Sequence, residues 1–216
     1  MPRTADRPIP TGRIRPEIAL LYGGAASVIG LLWLALAVNL LTCVIGAITL
    51  VSYVLIYTPL KRVTPLNTLV GAIPGALPPL MGWTAVSGLI TVEGCSLVAI
   101  LFFWQLPHFF AISWMYRDEY AEAGFVMLSG KDESGERTSQ NALSYTLGLL
   151  LFSTIPYFLK MTGPSYLIGS LLLGGLFLAS AIKFSRNLTV ASARRLFYYS
   201  ILYLPLLLGL MVMDRA

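Results

Sequence analysis

The residues best suited to chemistry lie in WQLPHFFAISWMYRDEYAEAGFVM, residues 104–127, where a long apolar segment ends in a group of acids. On a continuous helix with 100° and about 1.5 Å per residue, one sector of about 100° would hold Gln105, His108, Met115, Glu119 and Glu122. His108 would then lie about 16 Å deeper along the axis than Glu119. This stripe predicts a site for a long amphiphilic substrate with an anionic or metal-bound end.

Three acids, Asp118, Glu119 and Glu122, fall within five residues, and a basic pair, Lys61 and Arg62, follows the second apolar segment. Magnesium takes oxygen ligands and usually bridges to substrate phosphates, so these groups predict a Mg²⁺ and phosphate site. We therefore expect the ends of the second and fourth apolar segments to meet, with Lys61 or Arg62 near Glu119. The residues leave open the alternative that the acids are solvated and the basic pair only orients the chain.

Two further polar residues have both a functional and a structural interpretation. Asn67 could coordinate an ion or donate to a phosphate, but it could equally cap or bridge helices. His108 could be a ligand or a hydrogen-bonded residue between helices.

The first sixteen residues, MPRTADRPIPTGRIRP, are basic and rich in proline, which predicts a cytoplasmic segment without a helix. Arginines beside carboxylates at a membrane surface suit a diphosphate, whose oxygens accept charge-assisted hydrogen bonds. Arg3 and Arg7 are therefore weaker candidates for the same site. The alternative is an unstructured tail that only orients the chain.

The composition places these residues in an integral membrane protein. The 216 residues are 56% hydrophobic and 12% charged, whereas soluble domains are about 25% charged. Seven windows are long enough to cross a bilayer, near 17–38, 40–60, 66–83, 95–116, 139–159, 165–182 and 196–213. They predict one all-α domain over 1–216, a polytopic membrane bundle of about seven helices.

The basic residues indicate the orientation of this bundle. The formal charge of +5 could suggest a nucleic-acid partner, but all basic residues except Lys160 and Arg215 fall on one side of the predicted membrane. By the positive-inside rule that side is cytoplasmic, and the bundle lies in the inner membrane of a bacterial cell with its active face there. The charge therefore predicts a lipid bilayer as partner and no nucleic acid.

Prolines and a polar loop complete the pattern. Pro74, Pro78 and Pro79 interrupt the third window, and a broken helix in a membrane is tolerated where it lines a cavity. The loop SGKDESGERTS predicts solvated acids at Asp132, Glu133 and Glu136.

The sequence shows no P-loop, HExxH, GxSxG or Rossmann fingerprint, so it gives no support to an ATPase, a zinc protease or a serine hydrolase.

Three stretches, RTADRPIPTGRI, YTPLKRVTPLNTLVGAIPGALPPLMGW and WQLPHFFAISWMYRDEYAEAGFVML, together resemble the protoheme IX farnesyltransferases, or haem O synthases. These belong to the intramembrane aromatic prenyltransferase superfamily. The resemblance extends over nearly the whole chain, and the motifs stand in the family's order.

This resemblance implies transfer of a farnesyl group from farnesyl diphosphate to a vinyl group of haem B. Family members use Mg²⁺ held by two acidic motifs, and the second would fall on Asp118, Glu119 and Glu122, with Glu119 the best match. Lys61 and Arg62 would help to hold the diphosphate, with Asn67, Arg3 and Arg7 as further contacts. Trp104, Gln105 and His108 would face haem, and haem A synthase would be a protein partner.

The chain departs from the family at two places. Ser129 stands where the family has proline, and the family's first acidic motif and two further spans would come before this chain begins. We therefore expect seven spans in place of nine, and a chain that folds but transfers prenyl groups poorly or not at all. Other interpretations are a prenyltransferase for a quinone or chlorophyll precursor, an inactive paralogue, and a haem-binding or transport protein.

Overall fold

The computed structural model describes residues 4–215, and every named element within that range is a helix. The twelve helices are α1 Pro16–Trp33, α2 Leu40–Val51, α3 Thr58–Leu60, α4 Asn67–Ala76, α5 Pro78–Ser87, α6 Val92–Met115, α7 Arg117–Glu122, α8 Leu128–Lys131, α9 Glu136–Phe152, α10 Ile155–Phe158, α11 Pro164–Asn187 and α12 Val190–Met213. Two π-helical stretches, Leu34–Val38 and Ser52–Tyr57, extend α1 and α2. The all-helical bundle predicted from the sequence is confirmed.

The protein is a multi-pass membrane protein. Six helical stretches among the described residues are long and apolar enough to cross a membrane: Pro16–Val38, Leu40–Leu60, Asn67–Ser87, Val92–Met115, Pro164–Asn187 and Val190–Met213. The remaining predicted window, 139–159, forms α9, which has 17 residues and starts with the polar run ERTSQN. It ends at Phe152, before a turn at Ser153 and Thr154, so it is shorter and more polar than the sequence window suggested.

The core lies where α6, α9, α11 and α12 pack against one another. Ile100 and Leu106 of α6 are fully buried, as are Phe177 of α11 and Leu196 of α12. α9 packs on both α6 and α11, so it belongs to this core despite its polar start. By contrast, α1 contributes no buried residue.

The third window is broken by proline, as the sequence predicts. Pro78 starts α5 directly after Leu77, which ends α4, and Pro74 lies inside α4. Proline lacks a backbone N–H, so the turn before each proline loses a helical hydrogen bond. The amide Nε2 of Gln105 donates to the carbonyl of Ala72 at 2.6 Å, which ties the broken helix to α6.

The loop before α9 contains one acid that is not solvated. Asp132 is 6% exposed, and its Oδ2 accepts hydrogen bonds from the backbone N–H of Thr138 at 2.7 Å and from the Thr138 hydroxyl at 2.8 Å. Burial raises the pKa of Asp132, but hydrogen bonds from Thr138, from Ser134 and from the Arg137 backbone outweigh it and lower the pKa below its usual value. The expectation of a solvated acid was therefore wrong for Asp132, whereas Glu133 and Glu136 are exposed.

We predict that Asp132→Ala lowers the free energy of unfolding by about 2 kcal/mol at neutral pH, because the N–H of Thr138 loses a charged acceptor. A carboxylate with a lowered pKa stabilises the fold above its ordinary value of about 4, and this contribution is lost as the pH falls through the lowered pKa. The difference in the free energy of unfolding between the variant and the parent should therefore become smaller at acidic pH. Thermal unfolding in detergent micelles at several pH values measures it, with Glu133→Ala, an exposed neighbour, as the matched control. Equal effects of the two substitutions would contradict a stabilising role of the Asp132–Thr138 hydrogen bonds.

Candidate active site

Residues 104–127 do not form one continuous helix. α6 ends at Met115, and Tyr116, with φ −121° and ψ 26°, separates it from α7. Glu119 and Glu122 therefore lie on a second, short helix. The predicted stripe from His108 to Glu122 was wrong, because the phase and the rise of α6 do not carry past Tyr116.

Beside this break lies a cavity of about 180 Å³. Its lining comes from the π-helical stretch after α2, the loop after α3, the start of α4, the end of α6, α7 and the connection after α7: Tyr57, Lys61, Thr68, Phe109, Ile112, Ser113, Tyr120, Phe125 and Met127. Of the third span, Thr68 near the start of α4 lines this cavity, whereas the proline break does not. The walls are mostly aromatic and apolar, with one cationic group.

That cationic group is Lys61. Its ammonium lies 4.3 Å from the centroid of the Tyr57 ring and 5.7 Å from that of Tyr53. Burial lowers the pKa of Lys61. A Cβ atom at Gly71 of α4 would clash with the Tyr57 ring, so glycine at this position lets the ring pack against the helix. Arg62, by contrast, is exposed and does not line the cavity.

The loop that carries Lys61 is fastened to the connection after α7. The N–H of Val126 donates to the carbonyl of Lys61 at 2.7 Å. The side-chain amide of Asn67, which is 1% exposed, donates to the carbonyls of Val126 at 2.7 Å and Thr64 at 2.6 Å. Lys61 also lines the cavity together with Ile112 and Ser113, so the ends of the second and fourth segments meet, as predicted. The closeness of Lys61 or Arg62 to Glu119 stays a prediction, and Asn67 commits its donors to the backbone of the two connections.

The three candidate metal ligands have different surroundings. The side chain of Asp118 is 89% exposed and lies 3.6 Å from the guanidinium of Arg117. Glu122 is exposed as well, whereas Glu119 is partly buried and its Oε2 is buried without a hydrogen-bond partner. Within residues 4–215 no group of three His, Cys, Asp or Glu side chains could hold a metal ion. The predicted set of three carboxylates does not converge on one point.

Glu119 nevertheless fits a magnesium site. An ionised carboxylate oxygen that is buried without a donor is unfavourable, and a cation would satisfy it. Magnesium is commonly held by one or two carboxylates together with water and substrate phosphate oxygens. The donor chemistry of Glu119 therefore suits Mg²⁺ carried with a phosphorylated substrate.

A second, wider cavity of about 1220 Å³ lies next to the first. The segment before α1 forms most of it, including Arg7, Arg13 and Arg15, and Tyr120 and Phe125 line both cavities. The rings of Tyr120 and Phe125 meet edge to face at 6.0 Å. Lys61 therefore lines the first cavity and Arg7 the second, with the Tyr120–Phe125 pair between the two cavities. Arg3 lies outside the described residues.

The three residues predicted to face haem connect helices. The indole Nε1 of Trp104 donates to the carbonyl of Ser200 at 2.7 Å, and Nδ1 of His108 lies 2.7 Å from the hydroxyl of Ser200. Gln105 is tied to Ala72, as described above. The structural interpretation of His108 therefore holds for Nδ1.

The hydrogen bonds also assign the tautomer of His108. The hydroxyl of Ser200 donates its single proton to the carbonyl of Phe197 at 2.5 Å, so towards His108 it must accept. Nδ1 of a neutral His108 then carries the proton, and Nε2 keeps its lone pair. Among the described residues, Nε2 has no hydrogen-bond partner.

Sequence reasoning missed the aromatic part of the site. Tyr57 and Tyr120 stand beside predicted residues in YTPLKR and DEY, but residue type alone gave no reason to place them in the cavity. Phe125 and Thr68 carried no signal either. Ser129, which stands where the resembled family has proline, is 2% exposed and donates to the carbonyl of Ser113 at 2.8 Å. It fastens α8 to α6.

The sequence is similar to those of known proteins. The UbiA prenyltransferase family matches residues 1–204. The chain is 47% identical to a protoheme IX farnesyltransferase of Solibacter usitatus, in a match that covers 100% of this chain and 74% of that protein. It is 43% identical to the protein of that name from Myxococcus xanthus, with 100% and 74% covered.

A solved structure shares the fold. It is described as a digeranylgeranylglyceryl phosphate synthase in membranes, and it matches with a TM-score of 0.82 and 18% identity, covering 98% of this chain and 74% of its own. The family match over residues 1–204 shows that the chain belongs to the UbiA prenyltransferase family.

Proposed function

We propose that this protein transfers a farnesyl group from farnesyl diphosphate to a vinyl group of haem B and so forms haem O. The allylic C–O bond of farnesyl diphosphate breaks, and C1 of the farnesyl group bonds to the terminal vinyl carbon. Water then adds to the carbon next to the porphyrin ring and its proton leaves, which gives a hydroxyethylfarnesyl group and diphosphate. The relatives named protoheme IX farnesyltransferase, at 40–47% identity over the full chain, support this assignment.

The observation that carries the proposal is the cavity at the end of α2, where one cation lies among aromatic walls. Lys61 would bind the diphosphate and stabilise the charge that develops on it as the allylic bond breaks. The rings of Tyr57, Phe109, Tyr120 and Phe125 would keep water from the allylic cation before the vinyl group reacts. Arg7 would bind diphosphate oxygens from beyond the Tyr120–Phe125 pair.

Glu119 would hold Mg²⁺, which supplies Lewis-acid stabilisation of the leaving diphosphate when bound. The orphaned Oε2 of Glu119 supports this role. Asp118 and Glu122 are exposed and would act through water or not at all.

His108 would bind haem iron through Nε2. A metal-bound histidine commonly donates its other ring N–H to a fixed acceptor, which orients the ring and sets the tautomer. The Nδ1–Ser200 hydrogen bond supplies that acceptor. Trp104, whose ring stacks on His108 at 5.2 Å between centroids, would support the porphyrin face.

The basic ends of the helices support an inner-membrane location with the active face in the cytoplasm, because Lys61, Arg117, Lys131 and Arg186 lie at one end of the bundle. We also propose haem A synthase as a protein partner that would take up haem O.

The assay uses the purified chain in detergent with haem B, farnesyl diphosphate and MgCl₂, and detects haem O by liquid chromatography and mass spectrometry. Diphosphate release and haem O should appear together and should require Mg²⁺. Release with a quinone precursor but not with haem would favour another aromatic acceptor, and haem binding without any release would favour a binding or transport protein. The rate also tests the expectation of poor transfer.

We predict that Glu119→Gln reduces farnesyl transfer by roughly two to three orders of magnitude, because several kcal/mol of metal-mediated stabilisation is removed. Haem binding, followed by the Soret band, should stay unchanged. Glu133→Gln removes a similar charge from an exposed loop and serves as the control. Unchanged turnover of Glu119→Gln at saturating magnesium would remove Glu119 from the mechanism.

For the diphosphate, we predict that Lys61→Met raises KM for farnesyl diphosphate roughly tenfold to a hundredfold, the value of a charge-assisted hydrogen bond. Arg62→Met should change KM much less, since Arg62 does not line the cavity.

The pH dependence of KM gives a second measurement. Because burial lowers the pKa of Lys61, the ammonium loses its proton at a lower pH than an ordinary lysine, and KM should rise with pH below 10.5. Lys61→Arg should abolish this alkaline rise, since arginine stays protonated. A larger effect of Arg62→Met than of Lys61→Met would contradict the assignment.

A further inference from the structure

The first three turns of α12 carry a groove that lies outside the candidate active site. It measures about 430 Å³ and is lined by Ala191, Arg194, Arg195, Tyr198, Tyr199 and Leu202. All six residues are exposed. They follow one face of the helix, because their positions repeat at intervals of three and four residues.

This face points away from the core. The buried residues of α12 are Ser192, Ala193, Leu196, Ser200, Tyr203 and Leu207, and they pack towards α6 and α11. Ser200, which holds His108, lies about 120° and 140° around the helix from Arg194 and Arg195. The groove is therefore separate from the candidate active site.

Both arginines lack a counter-charge in the structure. The ion pair between Arg117 and Asp118 is the one salt bridge within residues 4–215. No acid lies in the first turn of α12. Two adjacent cations without an acidic partner attract an anion to this place.

The order of side chains along the groove indicates which anion this is. Arginines come first, two tyrosines follow one turn later, and Leu202, which is 60% exposed, comes one turn after those. From Arg194 to Leu202 the axial distance is about 12 Å. Cation, amphipathic ring and alkyl group in this order match the phosphate, the glycerol region and the acyl chain of a phospholipid at a bilayer surface.

We propose that this groove binds one anionic glycerophospholipid, with its phosphate between Arg194 and Arg195 and an acyl chain along Leu202. Tyr198 and Tyr199 lie at the level of the glycerol esters. The lipid braces the outer face of α12, the helix whose inner face fixes the proton of His108.

The test is native mass spectrometry of the full chain released from mixed micelles of phosphatidylglycerol and phosphatidylcholine. The parent should retain one phosphatidylglycerol in preference to phosphatidylcholine. Arg194→Gln combined with Arg195→Gln should reduce that retention roughly tenfold to thirtyfold. Lys183→Gln combined with Arg186→Gln, which removes two exposed charges from α11 of the same chain, should leave it unchanged.

A charge-conserving variant and a folding control distinguish loss of the lipid site from loss of structure. Arg194→Lys combined with Arg195→Lys keeps both charges and should keep most of the retention, and circular dichroism shows whether each variant is folded. Equal loss in the α11 and α12 variants would mean attraction to the basic surface in general and would overturn the site. Equal retention of the two lipids would overturn it as well, and full competition by inorganic phosphate would identify a free-anion site in place of a lipid site.

Discussion

One side-chain amide holds the candidate site together. Asn67 begins α4 and donates to the carbonyl of Thr64, in the loop just before α4, and to that of Val126, which lies 59 residues further along the chain. With the N–H of Val126 bound to the carbonyl of Lys61, two chain segments without regular structure become one fixed unit. Because Asn67 is buried, loss of its side-chain amide would leave the carbonyl of Val126 without a donor and weaken one of the two links to the loop that presents Lys61. The carbonyl of Thr64 would keep the backbone N–H of Asn67 as its donor.

α6 positions the remaining parts because each of its faces meets a different neighbour. Trp104 and His108 contact Ser200 of α12, Gln105 contacts Ala72 of α4, and Phe109 and Ile112 line the cavity. A rigid helix fixes these groups relative to one another, so His108 and Ile112 differ by about 6 Å along the axis. Under the proposed function, this register sets how far bound haem iron lies from the place where the allylic bond breaks.

The sequence predicted those features that depend on composition and local pattern. The lengths of the apolar windows predicted the helices, and the prolines predicted the break between α4 and α5. The basic pair predicted that Lys61 lies at the end of the second span. The change of direction at Tyr116 could not be predicted, because no glycine or proline marks it and the acids beyond it continue a helical spacing. Asp132 likewise resembles a solvated loop acid until the fold brings Thr138 to it.

The break at Tyr116 has a chemical consequence that a continuous helix would not allow. A helix continued straight from α6 would separate Glu119 from Ser113 by about 9 Å along one axis, whereas the new helix returns the chain so that Tyr120 and Phe125 line the same cavity as Ser113. The acid before Tyr120 is thereby held beside the cavity and partly withdrawn from water, with one oxygen unsatisfied. Desolvation strengthens the attraction of this oxygen for a cation, and Lys61 lines the same cavity as Tyr120. Under the proposed function, the turn at Tyr116 brings a carboxylate and an ammonium towards one substrate, and among the described residues Glu119 and Lys61 form no direct ion pair.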